Sequence, residues 1–327
     1  MTMIRFILPS LALLTVSASA DLIVLKNGQR IKGTITRADE NAVSIKTGPG
    51  ELTYPRAAVQ SMDMNEPSMF KTAREAFKRG DFARTLKLLD ESMKFTKHPV
   101  LMIHAKEARS VAYLKSGRAG DAFKEWAPLV EKNPSYATGT LSDFLMNAPT
   151  WDSSFAAALG SISATKVETK AAITALNAIA AIKEKNWAEA EKAVGILRAD
   201  TTPLAKDAAE YIQAKLFIGQ GKAKQLIEEF YERAESLTGI GRAYGFYGVG
   251  LAHLREQQRE KAMLAFLRVG LLQPKLAALA GDALYGGAII LEKTEPKSAA
   301  NFYKQIVRNH LSCSHWEDAK KRLAKLQ

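Results

Sequence analysis

One spacing recurs along this chain and limits its fold more than any other feature. Ala73-x-x-Ala76, Gly80-Asp81-Phe82, Leu86, Leu89 and Pro99 read as a helix, a tight polar turn, a second helix and a stop. Tyr113, Gly117, Ala122, Trp126, Leu129 and Pro134 repeat the order, and Phe246, Gly250, Ala262, Phe266 and Pro274 repeat it again. Such units cannot bury their apolar faces alone, so stacking on neighbours supplies the core.

The Phe246–Pro274 segment resembles the tetratricopeptide repeat. That family places a large residue early in its first helix and a small one four later. Its second helix carries an Ala, then an aromatic four later, then a closing Pro. Weaker copies follow from spacing. Ala122 and Ala190 are 68 residues apart, two periods of about 34. A divergent copy is therefore expected around Ala156, with Gly160 in the aromatic position. Residues 205–237 (Phe217, Leu226, Phe230) and 277–311 (Gly287, Ala299, Tyr303) read as further copies, and Trp316–Leu326 as a capping helix. The fold expected for 64–327 is an α-solenoid of about seven hairpins with an open concave face.

The N-terminus reads differently. Met1–Arg5 is a short basic segment, Phe6–Val16 is apolar, and Ser17-Ala18-Ser19-Ala20 ends in a small-x-small pattern. Residues 1–20 are therefore expected to be a signal peptide cleaved before Asp21, placing the protein in the periplasm or outside the cell. The apolar run is too short to span a bilayer.

Residues 21–63 read as five short strands. Leu22–Leu25 is followed by Asn27-Gly28, a hairpin signal expected to place φ > 0 at both turn positions. Leu25-Lys26-Asn27-Gly28, Ile31, Gly33, Thr34, Ile35, Asp39 and Asn41 resemble the Sm-like group of SH3-type barrels, which implies a small, strongly bent barrel. The family's RNA-binding residues are not matched, so RNA binding does not carry over.

Catalytic motifs are missing. There is no HExxH, GxSxG or GxxxxGK[ST], and the glycines from Gly239 to Gly250 follow no strand. No cofactor is expected. His310, Cys313 and His315 match no zinc-finger spacing, so no metal is assigned, and Cys313 has no partner cysteine in the chain.

The formal net charge is +12, which favours anionic partners. The tetratricopeptide resemblance implies a concave groove lined by Phe70, Arg74, Lys78, His104, Lys115, Lys183, Tyr211, Lys215, Tyr244, Tyr247 and Arg255. The function expected is thus a non-enzymatic exported scaffold holding a partner protein or extended acidic peptide. An anionic envelope polymer of the peptidoglycan type, or nucleic acid on the basic surface, is the alternative.

Overall fold

A computed structural model describes residues 20–39, 41–48, 50–147, 153–237 and 239–326. The expected signal peptide lies outside the described residues except for Ala20. The chain is mainly helical, with a five-stranded antiparallel sheet near its N-terminus. Among the described residues no helix is long and apolar enough to cross a membrane. The chain divides into two units, 1–67 with 96–102, and 68–95 with 103–327.

In the first unit the strands are β1 (Asp21–Leu25), β2 (Arg30–Ala38), β3 (Ala42–Thr47), β4 (Gly50–Pro55) and β5 (Val59–Asp63). Their order is β4-β3-β2-β1-β5. Alternation places Ile23, Leu25, Ile31, Ile35, Val43, Ile45 and Val59 on one buried face, joined by Val100 from the 96–102 segment. The expected hairpin forms at Asn27-Gly28, with one correction. Only Gly28 has positive φ (+85°), and Leu25 and Gln29 close a three-residue loop around it. The expected barrel also requires correction, because the sheet is open. Among the described residues β4 and β5 are opposite edges and do not pair. The reason is chemical: Glu51, Leu52 and Thr53 of β4 are exposed, so closing that edge would bury little apolar area.

Asp21 fastens this unit. Its carboxylate accepts from Ile35 N at 2.7 Å and Asn65 N at 2.9 Å, and lies 2.7 Å from His98 Nε2. One side chain, 3% exposed, therefore ties β1 to β2, to the segment after β5 and to residues 96–102.

The second unit holds α1 (Ser68–Lys78), α2 (Phe82–Phe95), most of α3 (Pro99–Lys115), α4 (Ala119–Lys132), α5 (Ser135–Met146), α6 (Ser153–Ser161), α7 (Val167–Lys183) and α8 (Trp187–Ala199). There follow α9 (Pro203–Gly219), α10 (Ala223–Arg233), α11 (Gly239–Arg255), α12 (Arg259–Leu272), α13 (Ala277–Leu291), α14 (Pro296–Asn309) and α15 (Trp316–Leu326).

Five of the turns are built alike. Asp81 N donates to Ala76 O, Arg118 N to Tyr113 O, Asn186 N to Ala181 O, Lys222 N to Phe217 O and Gln258 N to His253 O, at 2.8–3.0 Å. In each the residue before the donor is left-handed: Gly80, Gly117, Lys185, Gly221 and Gln257, with φ between +59° and +76°. This back-bonded cap satisfies carbonyls that the helix end leaves free. Two caps lack glycine, and a side chain in this region is strained by roughly 1–2 kcal/mol. Lys185→Gly and Gln257→Gly are each expected to raise stability by about 0.5–1 kcal/mol, measured as the urea midpoint. Gly221→Gln should lower it by a similar amount.

Close approach explains the third repeat of the sequence. A Cβ on Gly250 would lie 2.5 Å from the Phe266 ring, and one on Gly286 would lie 2.7 Å from it. Phe266 thus fills the gap between α11 and α13, with Ala262 fully buried beside it.

The expected copy around Ala156 is not a hairpin of the same kind. Helix α6 packs on α4, where a Cβ at Gly120 would meet the Ser154 carbonyl at 2.8 Å. Helix α5 instead packs against α7 and α13. The open, one-dimensional array also requires correction, since its ends meet. Trp316 at the start of α15 stands 6.4 Å from Phe82, ring to ring, and a Cβ at Gly80 would lie 2.6 Å from it.

Candidate functional site

The face expected to be an open groove is an interior. Tyr211, Tyr244 and Tyr247 are 3%, 3% and 7% exposed. Tyr211 lies 5.6 Å from Tyr244 and stacks on Tyr247 at 6.3 Å, and Tyr247 meets Phe266 at 5.9 Å. This aromatic column belongs to α9, α11 and α12, and its occupant is α5. The Tyr211 hydroxyl donates to Leu145 O at 3.2 Å, one of the last four carbonyls of α5 that its own helix leaves unbonded. Leu141, Phe144 and Leu145 of α5 are each 1% exposed.

Polar groups gather around the same helix end. Lys115 Nζ donates to Asn147 Oδ1 at 3.3 Å and to the carbonyl of Cys313. The Asn147 amide donates to Ser312 O at 2.9 Å and to Asp143 O at 2.6 Å. Asp282 accepts from Ser314 N at 2.7 Å and Ser314 Oγ at 2.6 Å. Residues 312–314, late in the chain, are thereby clasped by α3, α5 and α13.

Burial shifts the charges here. It raises the Asp143 carboxyl to about 6, against the opposing pull of Ser312 and Lys115. It lowers the ammonium groups of Lys115 and Lys215, with Asp282 acting the other way on both. Burial pushes the Tyr211, Tyr244 and Tyr247 phenols well up. The Cys313 thiol is raised by burial and then by Asp282, so it stays protonated and a poor nucleophile. Perturbed groups of this density mark candidate functional sites.

Comparison with family models, with curated proteins and with solved structures finds no match to this chain.

Of the residues expected to line the groove, Lys115, Tyr211, Lys215, Tyr244 and Tyr247 are brought together, as interior rather than as open wall. Phe70 is buried among the inward residues of α1. Arg74, Lys78, His104, Lys183 and Arg255 are exposed on their helices. The correction has a simple cause: helix positions that face inward have one periodicity whether the face is open or covered by another helix. Asp143, Asn147 and Asp282 were missed, and the 310–315 stretch was weighed only for metal binding. A signal existed, since Asp282 is the lone charge in α13 and Asp143 the lone charge in α5.

The His310–His315 stretch is spread apart. A Cβ at Gly281 would lie 2.6 Å from Cys313 Cβ, whereas the exposed His315 stacks on Tyr285 at 4.2 Å. Among the described residues no group of three ligating side chains gathers.

Glu107 on α3 gives a pH test. Burial alone raises its carboxyl to about 7. In the unfolded chain it loses its proton near pH 4.3, so between about 4.3 and 7 the folded state binds more protons. Its contribution to stability therefore falls as pH rises through that window. Allowing for partial exposure, Glu107→Gln should stabilise the helical unit by about 2 kcal/mol at pH 8 and by almost nothing at pH 4. Melting curves at the two pH values check this, and an equal gain at both would contradict it.

Proposed function

We propose that this chain is a non-catalytic scaffold, exported to the periplasm or outside the cell, which binds an acidic partner segment through its helical unit. The carrying observation is that α5 is already held inside the helical unit, packed against α7 and α13 and bonded by the Tyr211 hydroxyl of α9 on a main-chain carbonyl. Helix-in-groove recognition uses the same parts. The five like-built turns support the tetratricopeptide reading. A protonated, buried Cys313 supports binding rather than chemistry.

With the aromatic column occupied, the partner's acidic groups meet cations that remain on the surface, Lys183 at the end of α7 and Arg255 at the end of α11. Fluorescence anisotropy of a labelled oligoglutamate peptide tests this. Binding should weaken as salt rises, and the double change Lys183→Glu with Arg255→Glu should weaken it at least tenfold. Binding that survives both, or that is lost instead on reversing Lys320 and Lys321 of α15, refutes the reading.

A further inference from the structure

The outer edge of β4 is a run of main chain with free hydrogen-bonding groups. The ladder between β3 and β4 runs unbroken from Thr47↔Gly50 to Ala42↔Pro55, and just beyond it Arg56 N donates to Asn41 O at 2.8 Å. Bonded and non-bonded pairs alternate along an antiparallel ladder, so Gly50, Leu52 and Tyr54 bond to β3. The main-chain groups of Glu51 and Thr53 therefore point away from it. Among the described residues no strand receives them. Gly50 to Thr53 and Pro55 are exposed, so this edge is open to solvent. Edges are ordinarily blunted by lysine, proline, a bulge or a cover. From Gly50 to Tyr54 there is no lysine, proline or bulge, and the one charge, Glu51, accepts from Thr36 Oγ1 of its own sheet. The opposite edge differs. The β1–β5 ladder shifts register between Val24 and Leu25, and β5 ends on the exposed Asp63.

An open edge of this kind takes another strand, and β4 is complementary to itself. We propose that two copies of this chain pair β4 to β4, antiparallel, about a two-fold axis at Thr53. Thr53 of each copy then exchanges two main-chain hydrogen bonds with Thr53 of the other, and each Glu51 N donates to the Pro55 carbonyl opposite. Pro55 has no N–H to give, but it stands at the strand end on an edge, where proline is tolerated. Val43 and Ile45, both fully buried, oppose Tyr54 and Leu52 on one face of the sheet. On that face Leu52 meets Tyr54 of the other copy in the closer, non-bonded type of pair. The contact covers Leu52, which is 44% exposed, and extends the apolar core against which Tyr54 already packs. Each Glu51 stands opposite a Pro55, so no like charges face each other. The pairing rests on the sheet unit alone and is independent of the proposed peptide surface.

Sedimentation velocity of residues 21–327 over a range of concentrations tests this. The paired surface is small, so association is weak, with monomer expected at about 1 µM and dimer at about 100 µM. Thr53→Pro removes the central donor without removing a main-chain bond to β3, and Leu52→Lys puts a charge on the edge. Each should weaken dimerisation at least tenfold. Ser61→Lys, at an exposed residue of β5, should leave it unchanged. Amide hydrogen exchange of the unmutated protein gives a readout that does not rely on the variants. The Glu51 and Thr53 amides should exchange rapidly in the monomer and slow as the dimer forms, while the Leu52 amide, bonded to β3, stays slow throughout. Self-pairing is overturned if the protein is still monomeric at about 100 µM, which would leave the edge to a strand of some other protein. It is also overturned if dimerisation persists in Thr53→Pro, if the Glu51 and Thr53 amides ignore concentration, or if Ser61→Lys abolishes association, the mark of β4 pairing with β5.

Discussion

Asp21→Ala is expected to open the sheet unit while the helical unit keeps its ellipticity. The substitution removes a buried acceptor from two main-chain amides, Ile35 N and Asn65 N, and from His98. Hydrogen bonds to a charged group contribute about 1.5–3 kcal/mol each, and an orphaned buried donor is itself unfavourable. The combined loss is on the order of 3–5 kcal/mol, much of what a sheet this small possesses. Trypsin should then cut rapidly between Lys26 and Arg56. Asp63→Ala, at an exposed carboxylate on β5, is the control and should leave the rate unchanged. Equal protection of Asp21→Ala and wild type would mean that apolar packing of Ile23, Ile35, Val43 and Ile45 suffices without the staple.

Phe144→Ala should produce the largest loss in the helical unit, about 3–5 kcal/mol. Phe144 faces the Trp126 ring at 5.1 Å and the Phe123 ring at 5.8 Å, on a helix that also packs against α7 and α13. Its removal leaves a cavity among several elements, where no single neighbour can relax to fill it. Ile196→Ala, at a residue 52% exposed on α8, should change stability by less than about 0.5 kcal/mol. Denaturant midpoints at a common slope give both values. Similar small effects for the two would contradict the placing of α5.

The hairpins were legible because their signals are local. Gly80 and Gly117 mark turns that need left-handed backbone, and Gly250 lies against the Phe266 ring, four residues beyond Ala262. Lys185 and Gln257 occupy the same turn position without glycine, so only their neighbours' periodicity betrayed them. The failure at α5 and α6 has a different origin. Ala156 falls on the repeat period, but what a helix packs against is decided by distant residues. Gly120 admits α6 against α4, and α5 is taken up by a wall more than sixty residues away at Tyr211. The open barrel failed for a related reason, since the strand spacing was right but β4 has too little apolar surface to close.

The tyrosines were read as groove because inward-facing positions on a first helix look alike in an empty and in a filled array. Lone acids in apolar helices, Asp143 and Asp282, carried the better clue. A charge with no helical partner in an apolar stretch is retained where something distant satisfies it. Here Asp282 receives Ser314, and Asp143 lies beside Ser312 and Lys115.

Amide hydrogen exchange across α5 tests the central claim most directly, that α5 is an interior helix held by α7, α13 and the Tyr211 hydroxyl of α9. Residues 139–146 are expected to exchange as slowly as the cores of α9 and α11, through opening of the whole unit. Tyr211→Phe, which removes the hydroxyl from Leu145 O, should speed exchange at the α5 end. Fast exchange over 139–146 at the rate of an exposed helix, unchanged by Tyr211→Phe, would contradict the account.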